Sequence, residues 1–507
     1  MKPIVDALRD RTVLVLGLGD SGLAMARWCA RQGAAVRVWD SRETPPQGAA
    51  LAEHVPGAVR LGPALAADDL DGVDRVLRSP GLAPSDPRTL PLLAEAAARK
   101  IAVQGELDLF AEALEALRVA ADYSPKVIAV TGTNGKTTTT AMTALLVERS
   151  GKRAAAAGNI GPTMLQSLAD AIDATPSSSL REWLPEVWVL ELSSFQLDAA
   201  AGFDADAAAL LNLTQDHLDW HGTAAAYAAA KARVFGRRAV VVVNRDDAAV
   251  MRLVPSPVAA PTRKGRPARL IERRVVTFGA GPPPHAGDYG LVIENDMAWL
   301  ARARDAEEGE GRAGRAAAPA ELMLQALMPA DALRVRGRHN ATNALAALAL
   351  AGAVGCALAP MLHALREYRG EPHRVEYVDS VDGIDAFDDS KGTNVGATVA
   401  AIEGLGADRA PARLVVILGG DGKGQDFAPL TVPLRQHARF VATIGRDAAA
   451  IEAVVAAAGV AFRRFDSLDA AVVAAFEAAE RGDAVLLSPA CASLDMFRNY
   501  GHRADVF

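Results

Sequence analysis

The stretch Val130-Thr131-Gly132-Thr133-Asn134-Gly135-Lys136-Thr137-Thr138 carries the most concentrated chemistry in the sequence. A β-branched run precedes it and a helical pattern follows, the setting in which backbone amides at a helix N-terminus cradle phosphate oxygens. Gly132, Thr133, Asn134 and Gly135 would form the cradle. Lys136 would face the transferred phosphate as a cation, and Thr137, with Thr138 beside it, would offer a hydroxyl to Mg²⁺. The usual phosphate-loop spacing puts a glycine where this sequence has Val130, so the loop is a variant. ATP is the expected ligand, and an ordinary strand-to-helix turn is the plain alternative.

Mg²⁺ takes oxygen ligands and keeps several waters, so a carboxylate or imidazole beside the loop should complete its shell. Glu191 directly follows the apolar run Val187 to Leu190, and His217 follows a second such run in Leu211-Asn212-Leu213-Thr214-Gln215-Asp216-His217. In a parallel sheet both would stand at the carboxyl ends of strands, next to the loop. Taken singly, Glu191 could be an exposed strand-end charge and His217 a hydrogen-bonded cap. Lys231, in Ala225-Ala226-Tyr227-Ala228-Ala229-Ala230-Lys231-Ala232-Arg233, reads on its own as a solvated helix lysine.

A second glycine pattern, Gly17-Leu18-Gly19-Asp20-Ser21-Gly22, lies between a strand and a helix, with Asp40 ending the next strand. It fits the dinucleotide fingerprint, in which the acid holds a ribose. Its physical content is narrower, because glycines let backbone amides approach a diphosphate whichever nucleotide carries it. NAD or FAD, another nucleotide diphosphate, and plain tight packing all remain open at this point.

The elements that must position these groups alternate. Strands are expected at Thr12 to Leu16, Val36 to Trp39 and Val73 to Leu77, then at Lys126 to Val130, Val187 to Leu190, Ala207 to Leu211 and Ala239 to Val243. Further strands are expected at Leu414 to Leu418, Phe440 to Ile444 and Ala484 to Leu487, with alanine-rich helices between. The fold class is therefore α/β with three domains, 1–105, 106–370 and 371–507, the second boundary falling at the hinge-like Arg369-Gly370-Glu371-Pro372. Asp173 to Arg181, Ser256 to Arg269 and Arg302 to Pro319 lack apolar periodicity and read as surface insertions without a catalytic role.

Composition agrees. With 507 residues, half of them apolar and 23% charged, the chain can bury several cores. A net charge of -7 gives no general attraction for nucleic acid. Cys29, Cys356 and Cys491 are odd in number and far apart, so buried or idle thiols are expected rather than disulfides or a zinc site. No leader-like or membrane-length apolar run occurs, and a cytoplasmic protein without membrane insertion is expected.

With these residues in place the chain resembles the Mur ligases over essentially its whole length. The loop Thr131 to Thr138 matches that family's ATP signature. Glu191-Leu192-Ser193-Ser194-Phe195-Gln196-Leu197, Asn212 to Asp219, Gly337-Arg338-His339-Asn340-Ala341-Thr342-Asn343-Ala344, Pro372-His373-Arg374 and Asp389-Ser390-Lys391-Gly392-Thr393-Asn394 follow in the family's order. Gly158-Asn159-Ile160-Gly161, Gly419-Gly420-Asp421-Gly422-Lys423 and Ser488 to Asp495 resemble the D-glutamate-adding branch. The resemblance implies a Rossmann-like first domain binding UDP, a P-loop-type ATPase centre, and a Rossmann-like third domain that closes over ATP. It implies ligation of D-glutamate to UDP-N-acetylmuramoyl-L-alanine through an acyl phosphate, with ATP and Mg²⁺, by a monomer acting on small-molecule substrates.

By the same resemblance Ser21, Ser41, Arg42, Ser79 and Gly81 meet the uridine nucleotide, and Asn159 and His217 meet the muramoyl-alanine arm. Glu191 and His217 hold metal, and Lys231 matches the family's carbamylated lysine. Asn340 and Asn343 meet the adenine, Arg374 the phosphates and Asp389 the ribose. Thr393 and Lys423 take one carboxylate of D-glutamate, and Ser493, Leu494 and Tyr500 surround the other. Tyr500 stands where relatives commonly have Phe, and at Phe507, where this sequence ends, they carry another helical turn or more. Folylpolyglutamate synthases share the activation chemistry but would not use a UDP domain. A non-catalytic nucleotide-binding regulator would not need Glu191, His217 and Lys231 together. The Asp-Asn-Pro-Arg signature of diaminopimelate-adding relatives is absent.

Overall fold

In a computed structural model of the chain, which describes residues 8–176, 180–259, 270–305 and 322–507, three parallel-dominated sheets carry the functional loops. The first orders its strands 59–60, 35–39, 12–16, 75–78 and 102–104, all parallel. Its strand order turns back at Thr12–Leu16, and the crevice there lies beyond Leu16 and Arg78.

The second sheet has six parallel strands in the order 275–278, 240–244, 207–210, 126–131, 187–191 and 154–158. Its central strand Lys126–Thr131 is buried from Val127 onward, as a two-sided strand must be. The alanines of Ala207–Leu210 are buried too, their small side chains letting helices lie close on the sheet. The long helix Arg338–Ala353 packs its Ala and Leu residues against this sheet in the same apolar cluster as Ile128 and Val189.

The third sheet orders strands 376–381, 384–388, 484–487, 414–419, 438–444 and 461–464, with only the first antiparallel. A three-stranded antiparallel sheet, Tyr289–Glu294, Met297–Asp305 and Leu322–Pro329, was not foreseen.

Several expectations need correction. Arg302 to Asp305 is not insertion but the end of a nine-residue strand, with Ala301 and Ala303 buried between outward arginines. Its arginines alternate with buried alanines, a strand signature whose small apolar partners leave no strong apolar periodicity. Asp173 ends the helix Met164–Asp173, Leu180 and Arg181 open the short helix Leu180–Trp183, and Val258–Ala259 pairs with Leu270–Ile271. The remaining insertion residues 177–179, 260–269 and 306–319 lie outside the described residues. The strand expected at Val73 to Leu77 runs instead over Arg75–Arg78.

The three cysteines are free and buried, and each belongs to a different apolar cluster. Among the described residues no helix is long and apolar enough to cross a membrane.

Candidate active site

The glycine turn of the first sheet is held by groups that a dinucleotide reading would assign elsewhere. Asp40 accepts from the Leu18 amide at 2.6 Å and from the Arg42 side chain at 2.8 Å on each oxygen. Burial alone would raise this carboxyl, but the Arg42 hydrogen bonds, with those from the Leu18 and Arg42 amides, outweigh it and hold it at about 2. Its oxygens are thus engaged with the turn, not offered to a ribose. Ser79 Oγ donates to the Gly17 carbonyl at 2.8 Å, joining the two strand ends of the crevice. A methyl group on Gly22 would lie 1.9 Å from that same carbonyl oxygen, so only glycine lets the helix start so close to the turn.

A cleft of about 540 Å³ opens between this turn and the second sheet, lined by Ser21, Gly81, Asn159, Gly161, Phe195 and Gln196 among others. Three of the residues expected at the UDP substrate, Ser21, Gly81 and Asn159, therefore share one cavity. Ser41, Arg42, Ser79 and His217 are not among its lining residues. At its inner end Asn159 Nδ2 donates to Glu191 Oε1 at 2.7 Å.

Glu191 is 1% exposed and its other oxygen, Oε2, is buried without a hydrogen-bond partner. A carboxylate oxygen so placed is costly unless something positive meets it. The phosphate loop lies beside it, clamped by Asn212, whose Oδ1 accepts from Asn134 N at 2.8 Å and whose Nδ2 donates to Asn134 O at 3.0 Å. At Gly135 φ is +78°, and a methyl group there would meet Asn343 Oδ1 at 2.6 Å, so glycine is what admits Asn343 against the loop. Asn343 Nδ2 in turn donates to Asn340 Oδ1 at 3.2 Å.

Two lysines converge on one loop carbonyl. Lys136 Nζ donates to Gly132 O at 3.0 Å and Thr133 O at 2.8 Å, while Lys231 Nζ donates to the same Gly132 O at 2.7 Å. Lys231 is 2% exposed, so the solvated reading fails. Burial, with the neighbouring Lys136 charge, drives its pKa well below the ordinary lysine value, against the pull of Asp216 and Glu191. Tyr227, one turn earlier on the helix Ala224–Ala232, places its ring 4.8 Å from Lys231 Nζ and its hydroxyl 3.0 Å from Thr133 Oγ1.

His217 adopts φ +51°, with its Nε2 3.5 Å from Asp216 and its ring 4.7 Å from that of Phe195. Burial lowers its pKa; the Lys423, Lys136 and Lys231 charges add to this and Asp216 opposes it. The Lys423 charge thus reaches His217 across the junction with the third sheet.

Among the described residues, hydrogen bonds join the third sheet's segment to the second. Arg374 Nη2 donates to Thr137 Oγ1 at 2.6 Å, Asn394 Nδ2 to Asn134 Oδ1 at 3.0 Å, and Gly337 N to Asp408 Oδ2 at 2.9 Å. Between the two sides lies a cavity of about 80 Å³ whose lining includes Asn134, Gly135, Thr138, Asn340, Asn343, Arg374 and Asp389. Seven residues expected at ATP thus meet at one place.

Asp389, Ser488 and Gly419 stand at or just beyond the carboxyl ends of adjacent strands of the third sheet. Ser488 Oγ donates to Asp389 Oδ2 at 2.6 Å. Ser493 is buried and makes no side-chain cap, Leu494 and Tyr500 are exposed at 73% and 38%, and Lys391 Nζ lies 5.3 Å over the Tyr500 ring. Lys423 is exposed, its amide held by Asp421.

Sequence reasoning passed over Asn212, Asp216 and Asn394, which sit inside the quoted motifs, and Tyr227, whose signal was its helical spacing from Lys231. Among the described residues one group of three potential metal ligands lies within 4.8 Å, His373, Glu376 and Asp388, and it includes none of Glu191, His217 and Lys231. There His373 Nδ1 and Asp388 Oδ2 are 2.6 Å apart, and Glu376 accepts from the His373 amide. A nucleotide-borne Mg²⁺ needs no such triad, since phosphate oxygens and water fill most of its shell.

Comparison with known proteins matches these regions to family models: a Mur ligase MurD-like N-terminal domain over 11–105, a Mur ligase middle domain over 130–259, and a Mur ligase glutamate ligase domain over 373–491. The UDP-N-acetylmuramoylalanine–D-glutamate ligases of Burkholderia pseudomallei (strain 668) and Burkholderia mallei (strain SAVP1) are each 57% identical over 98% of this chain and 95% of theirs. The chain shares the fold of MurF ligase from Thermotoga maritima in complex with ADP, with TM-score 0.55, 17% identity and coverage of 100% and 97% of the two chains. UDP-N-acetylmuramate-alanine ligase MurC from Thermotoga maritima gives TM-score 0.51, 21% identity and coverage of 94% and 95%.

Proposed function

The chain belongs to the Mur ligase family of ATP-dependent ligases, and from that premise we propose that it joins D-glutamate to UDP-N-acetylmuramoyl-L-alanine in peptidoglycan precursor synthesis. The observation that carries this reading is the Asn159–Glu191 hydrogen bond. It ties the cleft lined by Ser21 and Gly81 to Glu191, whose carboxylate acts on Lys136 of the phosphate loop, so the far end of an arm laid in that cleft would arrive near a γ-phosphate. The likeness to D-glutamate ligases over nearly the full chain supports the choice of acceptor.

In this reading residues 1–105 hold the UDP end, 106–370 hold ATP, and 371–507 hold D-glutamate and close over the nucleotide. Ser41 and Arg42, beside the turn, contact the nucleotide from its rim, and Ser79 acts by bracing Gly17. The alanyl carboxylate attacks the γ-phosphorus, the bond to the β-phosphate breaks, and ADP leaves an acyl phosphate. The D-glutamate amine then attacks the acyl carbon and the tetrahedral intermediate expels phosphate. Three anions must be brought together, so the chain's work is positioning and charge neutralisation. Lys136 turns from its own loop carbonyls to the γ-phosphate, and Arg374 from Thr137 to the phosphates. Thr393 and Lys423 hold one D-glutamate carboxylate, with Ser493, Leu494 and Tyr500 at the other.

Mg²⁺, when bound, neutralises charge on the transferring phosphate; Thr137 and Glu191 would hold it, and His217 with Lys231 as its carbamate would hold a second ion near the substrate carboxylate. The unpartnered Glu191 Oε2 fits that role. Two lysines on one carbonyl favour a neutral Lys231 amine, and such an amine adds to CO₂ with loss of a proton, giving an oxygen-donor anion suited to a hard cation. The protein acts as a cytoplasmic monomer on small molecules.

Phosphate release from ATP, measured with UDP-N-acetylmuramoyl-L-alanine and a panel of amino acids, tests the proposal. Release should depend on D-glutamate, and equal turnover with L-lysine or L-alanine would reject it.

A further inference from the structure

We propose that Arg503 is the positioning residue of the acceptor pocket, one buried guanidinium that fixes the three segments carrying the expected D-glutamate contacts relative to one another. The proposal rests on the acceptor site read above. Arg503 lies one turn after Tyr500 on the helix Tyr500–Val506 and is 0% exposed. Its Nη2 donates to the Ser390 carbonyl at 2.7 Å and its Nη1 to the Cys491 carbonyl at 3.2 Å. Ser390 opens the turn that leads to Thr393, and Cys491 opens the turn that leads to Ser493 and Leu494. Two of the segments lead to residues assigned to D-glutamate and meet this side chain, and the third carries both Tyr500 and Arg503.

The choice of residue is informative. Among the described residues Arg503 donates to no carboxylate; Asp388, Asp495 and Asp389 act on it through space, and Nε is buried without a partner. Burial lowers its pKa to about 10, which still leaves a cation at neutral pH. An unpaired buried charge stabilises a fold less than an apolar side chain of the same size would. What an apolar side chain cannot do is bind two carbonyls from loops distant in sequence. Nor can it place a positive charge beneath a pocket for a dicarboxylate. The arrangement thus favours acceptor geometry over stability.

Arg503→Lys keeps the charge but cannot span both carbonyls, and Arg503→Ala removes both. With wild type first shown to use D-glutamate, Arg503→Lys should raise the KM for D-glutamate about tenfold while the KM values for ATP and the UDP substrate stay within about twofold. Millimolar guanidinium should lower the D-glutamate KM of Arg503→Ala, where equal sodium chloride should not. An unchanged D-glutamate KM, or equal rises in all three KM values with a lower melting temperature, would overturn the positioning role. Failure of wild type to use D-glutamate would instead reject the acceptor assignment. Should the variants not fold, hydrogen exchange on wild type holding ADP and the UDP substrate decides the matter. D-glutamate should protect 390–394, 491–494 and 500–504 together, and protection of one segment alone would reject the proposal.

Discussion

Lys136 and Lys231 meet at the Gly132 carbonyl, and that shared acceptor makes the second lysine a poor place for an ammonium. Lys231→Ala should lose most activity, by about a hundredfold or more, because it removes the anion proposed to hold the metal. Formate or acetate should partly restore turnover, whereas methylammonium should not; a reversed pattern would make Lys231 a plain cation. Asp389 offers a test that needs no turnover. Burial raises its carboxyl from 3.8 to about 7, against the Ser488 hydrogen bond and the Arg374 charge. The folded chain therefore keeps a proton that the unfolded chain releases, so the stability linked to this group is full at low pH and is lost as pH rises through about 7. Asp389→Asn stays neutral throughout. Its melting temperature relative to wild type should climb between about pH 4 and pH 7 and then level off, and a flat difference would show that Asp389 is ionised when folded.

At the level of elements, the glycine turn and its helix behave as one unit. Gly22→Ala would push a methyl group into the Gly17 carbonyl, which can move only by displacing the strand end that Ser79 braces. The KM for the UDP substrate should rise about tenfold or more with the ATP KM little changed, and equal effects on both substrates would show that the turn serves the whole fold. This turn also shows what was legible in the sequence. Its glycines, its strand and its helix could be read from spacing, as could the loop at Gly132 to Thr138 and the strands bearing Glu191 and Asn212. The partner of Asp40 could not, because a strand-end acid looks the same whether it faces a ribose or the amide of Leu18. Lys231 was opaque for a related reason: its alanine-rich helix carries no polar face, and burial came from the Gly132 loop folding over it. The antiparallel sheet around Met297–Asp305 was hidden because its arginines alternate with alanines rather than with large apolar residues.

At the scale of the whole molecule, the segment bearing the third sheet meets the phosphate loop through the Arg374–Thr137 and Asn394–Asn134 hydrogen bonds. The cavity between the two sides, about 80 Å³, is far below the roughly 300 Å³ at which small-molecule sites begin. Admitting a whole nucleotide there would need the two sides to part, and the expected turning point is 369–372, where Arg369 and Gly370 line a neighbouring cavity of about 920 Å³. Small-angle scattering should find Asn394→Ala more extended than wild type, with a non-hydrolysable ATP analogue and the UDP substrate narrowing the gap; identical radii in every condition would place the motion elsewhere. Burial of the cysteines, each in a different apolar cluster, gives the protein a further property. Burial lifts the Cys29 and Cys491 thiols to about 12 and raises that of Cys356, so alkylating reagents find almost no thiolate on the closed surface. Each thiol becomes reactive only when its own core opens. Variants that keep a single cysteine would then turn iodoacetamide labelling into three separate clocks, timing how often each core breathes and whether bound nucleotide slows one without the others.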